Sequence, residues 1–66
     1  MQVIINGEAS EVPHNLSLQE LLQHLNLREE RVAIQRNREI VKRERWQVVK
    51  VQPGDQLEIV HFVGGG

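Results

Sequence analysis

Residues 2–12 read Gln2-Val3-Ile4-Ile5-Asn6-Gly7-Glu8-Ala9-Ser10-Glu11-Val12, and this stretch decides how the chain begins to fold. Residues 2–5 are a short apolar run, and residues 8–12 alternate polar with apolar. An Asn-Gly pair between two such runs is the strongest short-range hairpin signal, because a type I′ turn needs positive φ at both central positions. The chain therefore opens with a β-hairpin. Pro13 has no N–H to give to a ladder, so the second strand should stop near it.

Outward from the hairpin the period changes. Leu18, Leu21, Leu22 and Leu25 fall at the i, i+3, i+4, i+7 spacing of one helical face. The helix start is marked twice, by the capping-box spacing of Ser17 and Glu20 and by Leu16 and Leu21 at the positions of a hydrophobic staple. Asn26 can take the left-handed conformation of a C-terminal stop, which limits the helix to two or three turns.

Further along, residues 28–31 read as a charged loop and residues 32–34 as a third strand. Asn37-Arg38 is a turn leading into Ile40-Val41. Residues 42–46 fit one helical turn, residues 48–51 a short strand, Pro53-Gly54-Asp55 a turn, and residues 57–63 the longest strand. One hairpin and one helix bury little by themselves, so the strands must share one sheet with the helix across one face. The result is an α+β β-grasp roll, a mixed sheet of about five strands with one main helix on one face. The strand after Asp55 is apolar on both faces, which suits a central position parallel to the first strand. Val3, Ile5, Leu18, Leu21, Leu22, Leu25, Leu57 and Ile59 should form the core. Residues 1–63 are the expected domain and residues 64–66 a flexible glycine tail.

Composition narrows the function. At 66 residues there is room for one modest core and little for the rigid shell that an enzyme cleft requires. The balance of 39% hydrophobic and 26% charged residues is that of a folding chain. A formal net charge of -1 exerts no pull toward nucleic acid or an anionic membrane. Seven of the eight basic residues lie between Arg28 and Arg45 among four of the nine acidic ones, which reads as a solvated face. No apolar run or leader-like start points to a membrane or to export, so the expected location is the cytoplasm. His14, His24 and His61 lack metal-site spacing, no catalytic constellation appears, and Trp46 reads as a packing residue over one end of the core.

The remaining feature is Gly64-Gly65-Gly66, running straight on from an apolar strand. Bare backbone can enter a narrow partner channel that side chains would not. Leu57 and Ile59 share one face of the last strand, so Val60 and Phe62 on the other face, with Val63, are candidate partner contacts.

The stretches 1–7, 18–25, 40–46, Pro53-Gly54-Asp55 with 57–60, and Phe62-Val63-Gly64-Gly65-Gly66 resemble those of the thiamin-pathway sulfur carriers, relatives of ubiquitin and of the molybdopterin-synthase small subunit. The likeness extends over essentially the whole chain. It implies that an adenylyltransferase uses ATP to activate the carboxylate of Gly66, with Gly64 and Gly65 threading into that enzyme. It further implies that sulfur from a donor such as a cysteine desulfurase makes a thiocarboxylate, which thiazole synthase consumes. No bound cofactor is implied. The absence of cysteine agrees, since any sulfur would have to sit on the backbone terminus rather than on a thiol. The alternatives are a molybdopterin-type or other sulfur carrier, a ubiquitin-like protein modifier, and a plain β-grasp interaction domain.

Overall fold

The computed structural model describes residues 1–62 and places them in five strands and one α-helix. Strand β1 (Gln2–Ile5) turns back through Asn6 (φ 50°) and Gly7 (φ 83°) into β2 (Glu8–Glu11), the left-handed pair that a type I′ hairpin requires. Helix α1 (Leu18–His24) starts at Ser17, whose hydroxyl accepts from the Glu20 N–H (3.1 Å) while the Glu20 carboxylate accepts from the Ser17 N–H (2.9 Å). The Ser17 backbone N–H and, less strongly, the Ser17 hydroxyl favour the ionised Glu20 carboxylate and lower its pKa. Leu25 caps the helix, and Asn26 comes next at φ 60°.

After the helix come β3 (Val32–Arg36), β4 (Glu39–Val41) and β5 (Gln56–His61). The sheet order is β2-β1-β5-β3-β4, with β5 central, parallel to β1 and antiparallel to β3. Parallel pairing needs a crossover, and everything from β2 to β4 supplies it. Leu18, Leu21 and Leu22 cover the sheet face that carries Val3, Val32, Ile34, Leu57 and Ile59. Val12, Trp46 and Val51 close the cluster at its margins. Trp46 donates from its indole N–H to the Val41 carbonyl (2.8 Å) and lies under the Arg43 guanidinium, 5.4 Å from the ring centre. It seals one end of the core, as its sequence context suggested. No helix among the described residues is long and apolar enough to cross a membrane.

Four readings of the sequence are corrected or refined. Residues 48–51 are not a strand: Val48 and Val49 both donate to the Arg45 carbonyl, closing a turn. That leaves only a single antiparallel bridge between Lys50 and Ser17. Residues 28–31, read as a charged loop, are given a shape that the sequence did not specify: Glu29–Arg31 form a 3-10 turn that feeds β3. Ile5 and Leu25, expected in the core, pack against it but remain half-buried, Ile5 as the last residue of β1 and Leu25 as the cap just past α1. The last strand ends at His61 rather than 63, with Phe62 adding one bond to the Arg31 carbonyl (2.8 Å). The expected glycine tail, and the domain boundary at residue 63, lie outside the described residues.

Candidate functional site

The C-terminal half of β5 holds the candidate site. Leu57 and Ile59 point into the core, and the period of two sends Val60 and Phe62 to the other face, where they are 54% and 53% exposed. The structure thus brings together these two predicted contacts. Val63, Gly64, Gly65 and Gly66 lie outside the described residues.

Three elements place this stretch. On one side β3 pairs through Ala33↔Val60 and Val32↔His61. On the other side β1 pairs through Ile4↔Gln56 and Ile5↔Leu57, and the Asn6 carboxamide then bonds the Ile59 backbone, accepting its N–H at 2.8 Å and donating to its carbonyl at 3.2 Å. At the end of the strand Phe62 and His61 border a shallow depression with Asn26, Leu27, Arg28 and Arg31. The Arg28 and Arg31 guanidiniums give this rim positive character, and Glu29, between them in the chain, accepts from the Gln19 amide (2.9 Å).

The helix-free face of the sheet carries a further apolar residue that sequence reading did not single out. Ile40 is 74% exposed and stands opposite Gln35, which in turn stands opposite Glu58. Residues directly opposite one another share a face, so Ile40 is on the same side of the sheet as Val60. Strand alternation offered the signal: of Ile40 and Val41, only one can face the core, and Val41 packs there. Nothing in the sequence pattern said which.

The opposite end of β5 is built differently. The buried Asp55 carboxylate accepts from Arg36 Nε (2.8 Å), Asn37 Nδ2 (3.2 Å) and the Gln52 N–H (2.8 Å). Burial would raise its pKa, but these bonds and the Arg36 charge outweigh burial and hold it below the ordinary carboxylate value. With its oxygens engaged by its own neighbours, this carboxylate is a structural clamp. Among the described residues no group of three or more His, Asp or Glu side chains is placed to hold a metal, and His14, His24 and His61 are all exposed.

Comparison with known proteins adds to this geometry. The model of the ThiS family matches residues 3–66. The chain is 35% identical over 66 residues to the sulfur carrier protein ThiS of Escherichia coli, covering 100% of both. It superimposes at a TM-score of 0.87 on the crystal structure of a thiamine biosynthesis protein (ThiS) from Geobacter metallireducens, with 35% identity and 100% of each chain covered. It is also 39% identical over 66 residues to a thiazole synthase of Magnetococcus marinus, covering 100% of this chain but 20% of that protein.

Proposed function

The chain belongs to the ThiS family, and from that premise we propose that it is a sulfur carrier of thiamine biosynthesis whose chemistry takes place on the carboxyl group of Gly66. A carboxylate is a poor acyl donor at neutral pH. An adenylyltransferase activates it: a carboxylate oxygen attacks the α-phosphorus of ATP, pyrophosphate leaves, and an acyl adenylate forms. A sulfur nucleophile, charged by a donor such as a cysteine desulfurase, then attacks the terminal carbonyl. The new C–S bond replaces the bond to AMP and leaves an acyl disulfide when the nucleophile is a persulfide. A second thiol of the partner then attacks the sulfur bonded to the partner, forms a disulfide with it, and releases the thiocarboxylate that passes sulfur to thiazole synthase. The chain is the substrate of these enzymes and not their catalyst, it binds no cofactor of its own, and it works in the cytoplasm. Gly64 and Gly65 enter the partner's channel as bare backbone, while Val60, Phe62 and Val63 form the apolar contact beside them.

The observation that carries this reading is the likeness to the Escherichia coli carrier over the full length of both proteins, in a chain with no cysteine that could carry sulfur as a persulfide. The thiazole synthases that contain a stretch like this one within a fifth of their length support thiazole synthase as the acceptor. Joining a carrier to its enzyme in one polypeptide raises the effective concentration of one for the other.

The test is intact mass after incubation with ATP, the cognate activating enzyme and a sulfur source. The expected product is heavier by the exchange of one oxygen for sulfur. Deleting Gly66 keeps a carboxylate but shortens its reach, and a misplacement of about 1 Å lowers rate on the order of a hundredfold. Replacing Gly65 by a bulky residue blocks the channel. If the chain lacking Gly66 is thiolated as fast as the parent, the reading is wrong.

A further inference from the structure

The backbone ladder between β1 and β5 stops at Ile5↔Leu57, because the chain turns back at Asn6-Gly7. The last backbone bond runs from the Asn6 N–H to the Leu57 carbonyl (2.8 Å). Continuing the parallel ladder would take two further β1 backbone groups, a carbonyl to accept the Ile59 N–H and the N–H of a later residue to donate to the Ile59 carbonyl. The Asn6 side chain takes their place. Its Oδ1 accepts the Ile59 N–H at 2.8 Å and its Nδ2 donates to the Ile59 carbonyl at 3.2 Å, across 53 residues of sequence.

A carboxamide carries a donor and an acceptor on one carbon, so one side chain can stand in for both missing ladder groups. Asparagine also tolerates the left-handed φ of 50° at this turn position. Glycine would keep the turn and lose the amide. Aspartate would keep an acceptor and set a carboxylate against the Ile59 carbonyl.

This bond sits where the hold on β5 becomes one-sided. Beyond Ile59, the described chain is tied to the sheet on the β3 side alone, through Ala33↔Val60, Val32↔His61 and the Phe62 bond to Arg31. Among the described residues the Asn6 amide is the last attachment on the β1 side, directly before Val60 and Phe62.

Resting on the carrier reading above, we propose that Asn6 is a positioning residue for sulfur transfer, whose amide holds the end of β5 in the docked geometry that the activating enzyme meets. A partner that recognises only the docked form sees its affinity reduced by the fraction of molecules docked. Loss of the amide therefore raises the KM for the carrier and leaves kcat, set by chemistry at Gly66, nearly unchanged.

The experiment compares four chains as substrates of the activating enzyme with ATP and a sulfur source: the parent, Asn6→Gly, Asn6→Asp and Ser17→Ala. The last loses a helix cap remote from β5 and serves as a control for lowered stability. Asn6→Gly should raise KM about tenfold with kcat within about twofold, and amide hydrogen exchange at Ile59 and Phe62 should quicken more than at core positions such as Leu21. Asn6→Asp should reproduce the effect with the turn residue's left-handed tolerance retained. Ser17→Ala should leave KM unchanged. If Asn6→Gly raises KM no more than Ser17→Ala does, or if Ile59 exchange does not quicken, the positioning role is overturned while the carrier reading stands. If the parent itself is not thiolated, the carrier reading falls, and the inference that rests on it falls too.

Discussion

The two ends of β5 are held by different kinds of contact. At its start, a buried carboxylate gathers Arg36, Asn37 and the Gln52 backbone, and the Asn37 side-chain oxygen returns a bond to the Gln56 N–H (3.0 Å). At its finish there is no buried charge among the described residues, only ladder bonds to β3, one carboxamide from Asn6, and two half-exposed apolar side chains. A buried, fully bonded carboxylate rigidifies but is intolerant of change. An exposed apolar pair adds little to folding and remains available to a partner. One strand thus joins a region held by buried polar bonds to one whose apolar side chains stay open to solvent.

The sharpest way to break this comparison is at Leu57, the second residue of β5 and the first of its two core side chains. Leu57 is 1% exposed, and Leu57→Ala should lower unfolding free energy by about 2–5 kcal/mol in urea denaturation. A loss below about 1 kcal/mol would mean that the core is not continuous beneath β5.

Next in size is the clamp itself. Asp55→Ala removes a charged acceptor from three donors and should cost about 2–3 kcal/mol, read as a lowered thermal midpoint. The same group predicts a pH dependence. Its pKa is lower folded than unfolded, so the unfolded chain binds more protons across that window. The stability it adds is present above the unfolded value of about 3.9 and is lost as pH falls through the folded value. Asp55→Asn should flatten this acid limb, leaving a residual slope in the same direction from Glu20. An unchanged limb would assign the acid sensitivity elsewhere.

A smaller effect is expected in the β3–β4 turn, where Arg38 sits at φ 72°, a left-handed conformation that disfavours a side chain with a Cβ. Arg38→Gly should raise stability by about 0.5–1 kcal/mol in the same denaturant titration. A loss would show that the Arg38 side chain makes a compensating contact.

The smallest change in stability belongs to the far end. Phe62→Ala should shift unfolding by less than about 0.5 kcal/mol, yet raise the carrier's KM with its activating enzyme roughly tenfold, as loss of an exposed apolar anchor does. Equal effects on stability and KM would erase the contrast between the two ends.

Some of this was legible before any coordinates. The Asn6-Gly7 turn, the Ser17/Glu20 cap and the leucine spacing are local signals, in which a few consecutive residues carry both the conformation and its cause. Period-two alternation likewise separated Leu57 and Ile59 from Val60 and Phe62. The segment 48–51 misled because an apolar run states a preference for burial and not for a ladder. Its first two N–H groups were taken up by the turn at Arg45, the rest of its backbone makes only a short bridge to Leu16 and Leu18, and Val51 found the core without a strand.

The sequence alone thus determined the opening hairpin, the helix with its start, and the inward faces of that helix and of β5, since all of these depend on neighbours within one or two turns. The tertiary structure alone decided that Asp55 meets Arg36 and Asn37, that Ile40 faces out on the side of the sheet bearing Val60, and that the Asn6 amide closes on Ile59. The polar pairings among these join residues 18 to 53 positions apart. No local rule reports them, because a side chain's donors and acceptors acquire meaning only once the sheet has brought their partners to within about 3 Å.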